Sequence, residues 1–270
     1  MPKSPIQVFR ASHVLIFTLL LVVCFAIALK QLVTGAHPRT WKSDFDVAIS
    51  LWDLGDNHAK PLIERALEKS VVEKAPIADQ IAARREFAEK LYASHDWTGG
   101  DWQLDKAIAL STIAKPEGPE ADQLSHAYQD RAWTAHLRHL RDPNLASGEK
   151  EQERSYEISR DVFGAESPAA IYKLATLGLI EVDLGNSEKG NSILDQAKTA
   201  VDTVDKARPA GWFVYEMLAQ AKATENDPQA AEAARLKALS LATNPSQKER
   251  VTRDFNAAMK RANAKKRQSE

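Results

Sequence analysis

Past residue 40 the sequence is interrupted at regular intervals by residues that a helix does not carry through. The interruptions are Gly55-Asp56-Asn57, Ala75-Pro76, Thr98-Gly99-Gly100, Lys115-Pro116-Glu117-Gly118-Pro119, Asp142-Pro143-Asn144, Gly164 to Pro168, Gly185-Asn186, Arg208-Pro209, Asn226-Asp227-Pro228 and Asn244-Pro245. Between them Ala, Leu, Glu, Lys, Arg and Gln dominate, apolar residues recur at spacings of three and four, and alternating β-branched runs are missing, so each stretch reads as an amphipathic helix. Pro-containing breakers return about every 35 to 45 residues, a period that suits a stack of helical hairpins. The pairs run from Thr40 to Ala75, Ile77 to Lys115, Glu120 to Phe163, Pro168 to Lys206 and Pro209 to Thr243, and Ser246 to Ala264 is left over as a capping helix. The sequence therefore predicts an all-α repeat domain over residues 40–245, with a capping helix and basic tail over 246–270. No single hairpin could bury its apolar face alone, so stability should run as a sum over neighbours.

The first 39 residues read differently. After a basic tail, residues 1–13, the stretch from Val14 to Leu29 carries no charge. With its flank it gives a transmembrane helix over 14–34, because roughly 20 apolar residues cross a hydrocarbon core and Lys30 can extend its ammonium to the interface. Residues 35–39 are a linker. A short basic tail before a single span and a large domain after it suggest a signal anchor with the repeat domain on the outer side. Two alternatives stay open: cleavage as a signal peptide, for which Ala26-Ile27-Ala28 and Thr34-Gly35-Ala36 offer small residues, and a cytoplasmic repeat domain.

The helical pairs resemble the tetratricopeptide repeat, whose pattern places small residues where paired helices cross. The fourth pair fits best, with Leu177-Gly178, Gly185 at the turn, then Gly190, Leu194 and Ala197. The fifth supplies Trp212, Leu218-Ala219, Ala231 and Ala238, with Arg235 where an apolar residue is usual; the first offers Val47, Ala59, Ile63 and Ala66. The junction YEISRDVFGAESP, from Tyr156 to Pro168, resembles the longer repeat variant of kinesin light chains. The second and third pairs depart from the pattern, with insertions around Trp97 to Trp102 and Leu137 to Ser147 that would lengthen their inner turns. The resemblance implies a right-handed α-solenoid of about five hairpins, in which the first helices line a groove for an extended peptide or a partner helix.

Carried over through the Leu177-Gly178 landmark, groove positions fall at Tyr172, Ala175, Leu179 and Val182. Through Leu218-Ala219 they fall at Phe213, Glu216, Gln220 and Ala223. With Phe87-Ala88 and Arg131-Ala132 as landmarks, the second and third helical pairs add Arg85, Glu89, Tyr92, Gln129, Trp133 and His136. Such a surface, with Tyr92, Trp133, Tyr172 and Phe213 among polar groups, suits an apolar or Pro-rich peptide held by aromatic anchors. For each aromatic the alternative is a place in the core between repeats, since one position of register error rotates a helical residue by about 100°.

The residues that chemistry would need are not assembled in the sequence. It contains no phosphate-binding glycine loop, dinucleotide fingerprint, nucleophile elbow or His-Glu-x-x-His helix, so no catalytic residue is assigned. His136 and His139, with His126 and Asp130, could be imagined as metal ligands, but Arg138 and Arg141 interleave with them, and a solvated basic face is the better reading. No metal, cofactor or small-molecule substrate is expected. The 36 basic and 37 acidic residues leave a net charge of -1, which offers no global attraction for nucleic acid. The expected partners are other proteins or peptides, together with a membrane through the N-terminal helix. Two other readings remain beside the scaffold: a holdase for exported or unfolded chains, and an enzyme of unrecognised type.

Overall fold

The computed structural model describes residues 40–111 and 116–269, and all regular structure among them is helical. The expected span, its basic tail and the linker lie outside the described residues, as does Lys115. Among the described residues no helix is long and apolar enough to cross a membrane. The chain divides into two compact units, meeting in sequence at Glu73 and Lys74.

The first unit contains one hairpin, α1 (Trp41–Asp53) and α2 (Ala59–Val72). The Thr40 hydroxyl opens α1 by accepting from the Ser43 N–H at 3.3 Å, one of the donors that a helix start leaves unpaired. Phe45, Ala48 and Ile49 of α1 and Ala59, Ile63, Ala66 and Leu67 of α2 are buried, and Lys69 ties the pair by its 2.7 Å contact to Asp44. Val47 is not part of this core; it is 51% exposed, which removes it from the crossing position that the repeat pattern gave it.

The second unit holds α3 (Ile77–Ala93), α4 (Trp97–Leu110), α5 (Gly118–His139), α6 (Glu149–Phe163), α7 (Pro168–Asp183), α8 (Ser187–Thr203), a 3-10 turn (Asp205–Ala210), α9 (Gly211–Thr224), α10 (Pro228–Leu241) and α11 (Pro245–Ser269). Consecutive helices pack in pairs, α3 on α4, α5 on α6, α7 on α8 and α9 on α10. First helices also pack on one another across the pairs: α3 against α5, α7 against α9, and α9 against α11. This succession of packed pairs is consistent with a solenoid.

Local chemistry sets the joints. At the junction after α6, Gly164 takes φ +89°, and Ser167 then accepts from the Ala170 N–H at 3.2 Å with Pro168 as the first helical residue. Proline suits that place because its missing N–H would have had no partner there. The stretch Thr98-Gly99-Gly100, expected to break the second pair, instead lies in the first turn of α4; Asp96 caps that turn by accepting from the Gly99 N–H at 2.9 Å, so the inner turn is short. The loop between α5 and α6, residues 140–148, is long, as the insertion in the third pair suggested.

The helices α7 and α8 cross closely. A Cβ added to Gly190 would lie 2.7 Å from the Gly178 carbonyl oxygen and 2.8 Å from the Val182 nitrogen, so two backbones meet where only hydrogen fits. Around this crossing Leu179, Leu194 and Ala197 join Phe213, Val214 and Met217 of α9 in one core. By contrast α5 and α7 do not approach closely, and long side chains bridge the gap between them.

Candidate functional site

A cleft of about 400 Å³ opens on the second unit, walled by residues from α3, α5, α7, α9 and α11. On α3, Arg85, Glu89 and Tyr92 are spaced at four and three residues and so share one face of the helix. On α5, Gln129 and Trp133 do the same. Phe213 contributes from α9, and these six expected groove residues line the single cleft together.

Each wall is held in place by neighbours. The Arg85 Nε donates to Asp130 at 2.7 Å and its Nη1 to Gln123 at 2.8 Å, a pairing that crosses from α3 to α5. The Tyr92 hydroxyl donates to Asp101 Oδ1 at 2.8 Å, and its ring lies 5.7 Å from that of Trp97. Burial, then the Asp101 carboxylate, keeps that phenol protonated well above its ordinary range. Gly100 makes room for the ring, since a Cβ there would fall 2.3 Å from Tyr92 Cε1. Trp133 leans on His136 with 5.7 Å between ring centroids.

Behind the cleft, polar side chains fill the gap between α5 and α7. Lys173, 2% exposed, donates to His126 Nδ1 at 3.0 Å and to Gln129 Oε1. Burial pulls its ammonium down to about 7, against the weaker opposing pull of Asp130. Burial and the neighbouring Lys173 charge lower His126 to about 3. About three helical turns further along both helices, the His136 ring lies 3.0 Å from Asp183, which also accepts from the Thr224 hydroxyl at 2.7 Å. These histidines are thus engaged separately, and among the described residues no group of three His, Cys, Asp or Glu is placed to hold a metal ion.

The other expected groove positions lie elsewhere. Leu179 is 1% exposed and sits in the core, as do Ala175 and Val182. Thr176, one residue past Ala175, faces the cleft instead, so on α7 the groove face is rotated by one position from the one read through Leu177-Gly178. Tyr172 stands outside the cleft lining, with its hydroxyl donating to the Pro209 carbonyl at 3.2 Å and its ring edge-on to Phe213 at 4.9 Å. Glu216 and Gln220 are buried, at 1% and 3%.

Glu216 is covered by α11, which sequence reasoning left as an end cap. Arg250 of that helix donates to Glu216 Oε1 at 3.2 Å and stacks over Phe213 at 4.9 Å. Burial raises the Glu216 carboxyl to about 7, against the opposing pull of Arg250. Val251, Phe255 and Ala258, spaced at four and three, are buried, the last two with Ala219, Ala223 and Ala231. Arg235, the charged departure from the repeat pattern, stacks over Phe255 at 5.4 Å. Arg250, Arg253 and Asp254 close one side of the cleft and were missed as site residues; the apolar stripe at 251, 255 and 258 was the signal that α11 has a face to bury.

The arrangement offers aromatic surface, fixed ion pairs and hydrogen-bonding groups around an open hollow. The sequence matches no protein-family model and no curated protein.

Proposed function

We propose that this chain is a membrane-anchored scaffold of tetratricopeptide type, which holds a segment of a partner protein in the cleft between α3, α5, α9 and α11. The observation that carries this reading is the cleft's construction: residues far apart in the chain converge on one hollow, with Tyr92, Trp133 and Phe213 as apolar walls. Such aromatic anchors, ordered before binding, lose little entropy when a partner arrives. The charge-free stretch from Val14 to Leu29 supports the anchor, and the small residues at the α7 and α8 crossing support the tetratricopeptide likeness. Binding, not turnover, is the proposed activity, with the repeat domain on the outer side of the membrane.

The test is selection of a random linear dodecapeptide library on the full-length protein in detergent. Enriched peptides should lose at least about tenfold in affinity on Trp133→Ala, the scale of an aromatic hot spot. They should bind normally to Leu236→Ala, which alters a side chain 55% exposed on α10. No enrichment, or equal losses in both variants, would overturn the reading.

A further inference from the structure

Three guanidinium groups and three carboxylates line the cleft, and one of those carboxylates has no basic partner. Each guanidinium has a carboxylate: Arg85 is 2.7 Å from Asp130, Arg250 is 3.2 Å from Glu216, and Arg253 is 2.8 Å from Asp254. Asp130 and Asp254 line the cleft, Glu216 lies buried behind it, and Glu89 is the remaining lining carboxylate. Among the described residues it makes neither an ion pair nor a hydrogen bond, although Arg85 stands one turn before it on α3. The residue keeps an exposed surface, yet desolvation by the cleft walls and then repulsion from Asp130 both hold its carboxyl above the usual carboxylate range. A positive charge delivered beside it would offset both effects, adding to the weaker pull of Arg85.

The flanking groups specify what kind of cation fits. Tyr92 lies on the same face of α3 one turn further on, and Trp133 faces the same hollow from α5. Both rings are already fixed, Tyr92 by its hydroxyl on Asp101 and Trp133 against His136. Their electron-rich faces attract organic cations. A hard divalent metal would need about six oxygen ligands, and one unpaired carboxylate between aromatic rings does not provide them. A lysine or arginine side chain combines an apolar stem, which can lie along the rings, with a charged end for the carboxylate.

On the reading of the cleft as a peptide site, we infer that the bound segment carries a basic residue, lysine or arginine, whose charged end pairs with Glu89 between Tyr92 and Trp133. Glu89 is then a specificity residue: it selects among segments that the aromatic walls would otherwise hold alike.

Binding of a positional-scanning set of nine-residue peptides to the full-length protein in detergent tests this, the central residue being fixed as lysine, arginine, norleucine or glutamate and the rest randomised. The lysine and arginine pools should bind about tenfold more tightly than the norleucine pool, the preference fading at high salt. In Glu89→Gln the preference should vanish while the norleucine pool binds as before, and in Glu89→Lys it should pass to the glutamate pool. Pools that bind alike, with all binding sensitive to Trp133→Ala, would overturn the basic-residue inference and leave the cleft reading standing. A preference that survives Glu89→Gln would also overturn it. No saturable binding in any pool, or binding indifferent to Trp133→Ala, would overturn both.

Discussion

Gly190→Ala tests the packing on which the second unit depends. The new Cβ would lie 2.6 Å from Val182 Cγ2, 2.7 Å from the Gly178 carbonyl oxygen and 2.8 Å from the Val182 nitrogen. Even weak carbon-to-oxygen contacts settle at about 3.3 to 3.6 Å, so α7 and α8 must separate by roughly half an ångström or more. Two of the three atoms are backbone and cannot rotate away, which puts the change toward the upper part of the roughly 1 to 3 kcal/mol that overpacking costs. Replacing glycine by alanine inside a helix returns about 0.8 to 1.0 kcal/mol. The net loss is about 1 to 2 kcal/mol, and for a domain of this size the melting temperature should fall by about 2 to 8 °C. Thermal melts followed by circular dichroism measure it. Gly178→Ala is the internal comparison, because its nearest contact is the movable Leu194 side chain at 2.7 Å and its nearest backbone contact is longer, 3.0 Å. A Gly190→Ala protein that melts at or above the parent temperature would refute the close crossing.

The two buried groups beside the cleft give stability opposite slopes with pH. Lys173 is lowered from 10.5 to about 7, so between those values the unfolded chain binds the extra proton and stability falls as pH is lowered, by about 4 kcal/mol across the window. Glu216 is raised from 4.5 to about 7, so there the folded chain binds the extra proton and stability falls as pH rises from 4.5 to 7, by about 3 kcal/mol. Urea unfolding over pH 4 to 11 should lose the alkaline-side slope in Lys173→Met and the acid-side slope in Glu216→Gln; unchanged slopes would mean that these groups are not buried as described. Gly100→Ala should displace the Tyr92 ring from its 2.8 Å contact with Asp101 and weaken binding of the selected peptides several-fold, with the helical circular dichroism signal kept. For the proposed anchor, the full-length chain should stay with membranes through an alkaline carbonate wash and a chain lacking residues 1–35 should not.

The helices of the structure were legible because the breakers are chemically plain: Asn226-Asp227-Pro228 puts Asn226 at φ +60°, an Asp cap on the Ala230 N–H and a proline in the first turn, all local effects. The misreading of Gly99-Gly100 came from treating glycine as a breaker where it makes room for a side chain, since Tyr92 occupies the space that a Cβ at Gly100 would need. The groove face was harder to read. On α3 and α5 the landmarks Phe87-Ala88 and Ala132 are buried, and Arg85, Glu89, Tyr92, Gln129 and Trp133 face the cleft, whereas His136, also expected there, is buried against Asp183. On α7 nearly every residue is buried, so sequence offers no polar side to fix the rotation, and the face is displaced from Ala175 to Thr176. On α9, the Leu218-Ala219 landmark placed Glu216 in the groove. It is instead an acid buried under Arg250, a tertiary pairing across 34 residues that no local pattern encodes.

The central claim is that the cleft is where a partner is held. Site-specific photocrosslinking in cells tests it most directly, with a benzoylphenylalanine placed singly in the full-length chain at Tyr92, at Trp133, and, as outward comparisons, at Trp102 and Leu236, which are 51% and 55% exposed. A crosslinked product of the same mass from both cleft positions and from neither outward position is the predicted result. Equal crosslinking from all four positions, or products from the outward positions alone, would contradict it.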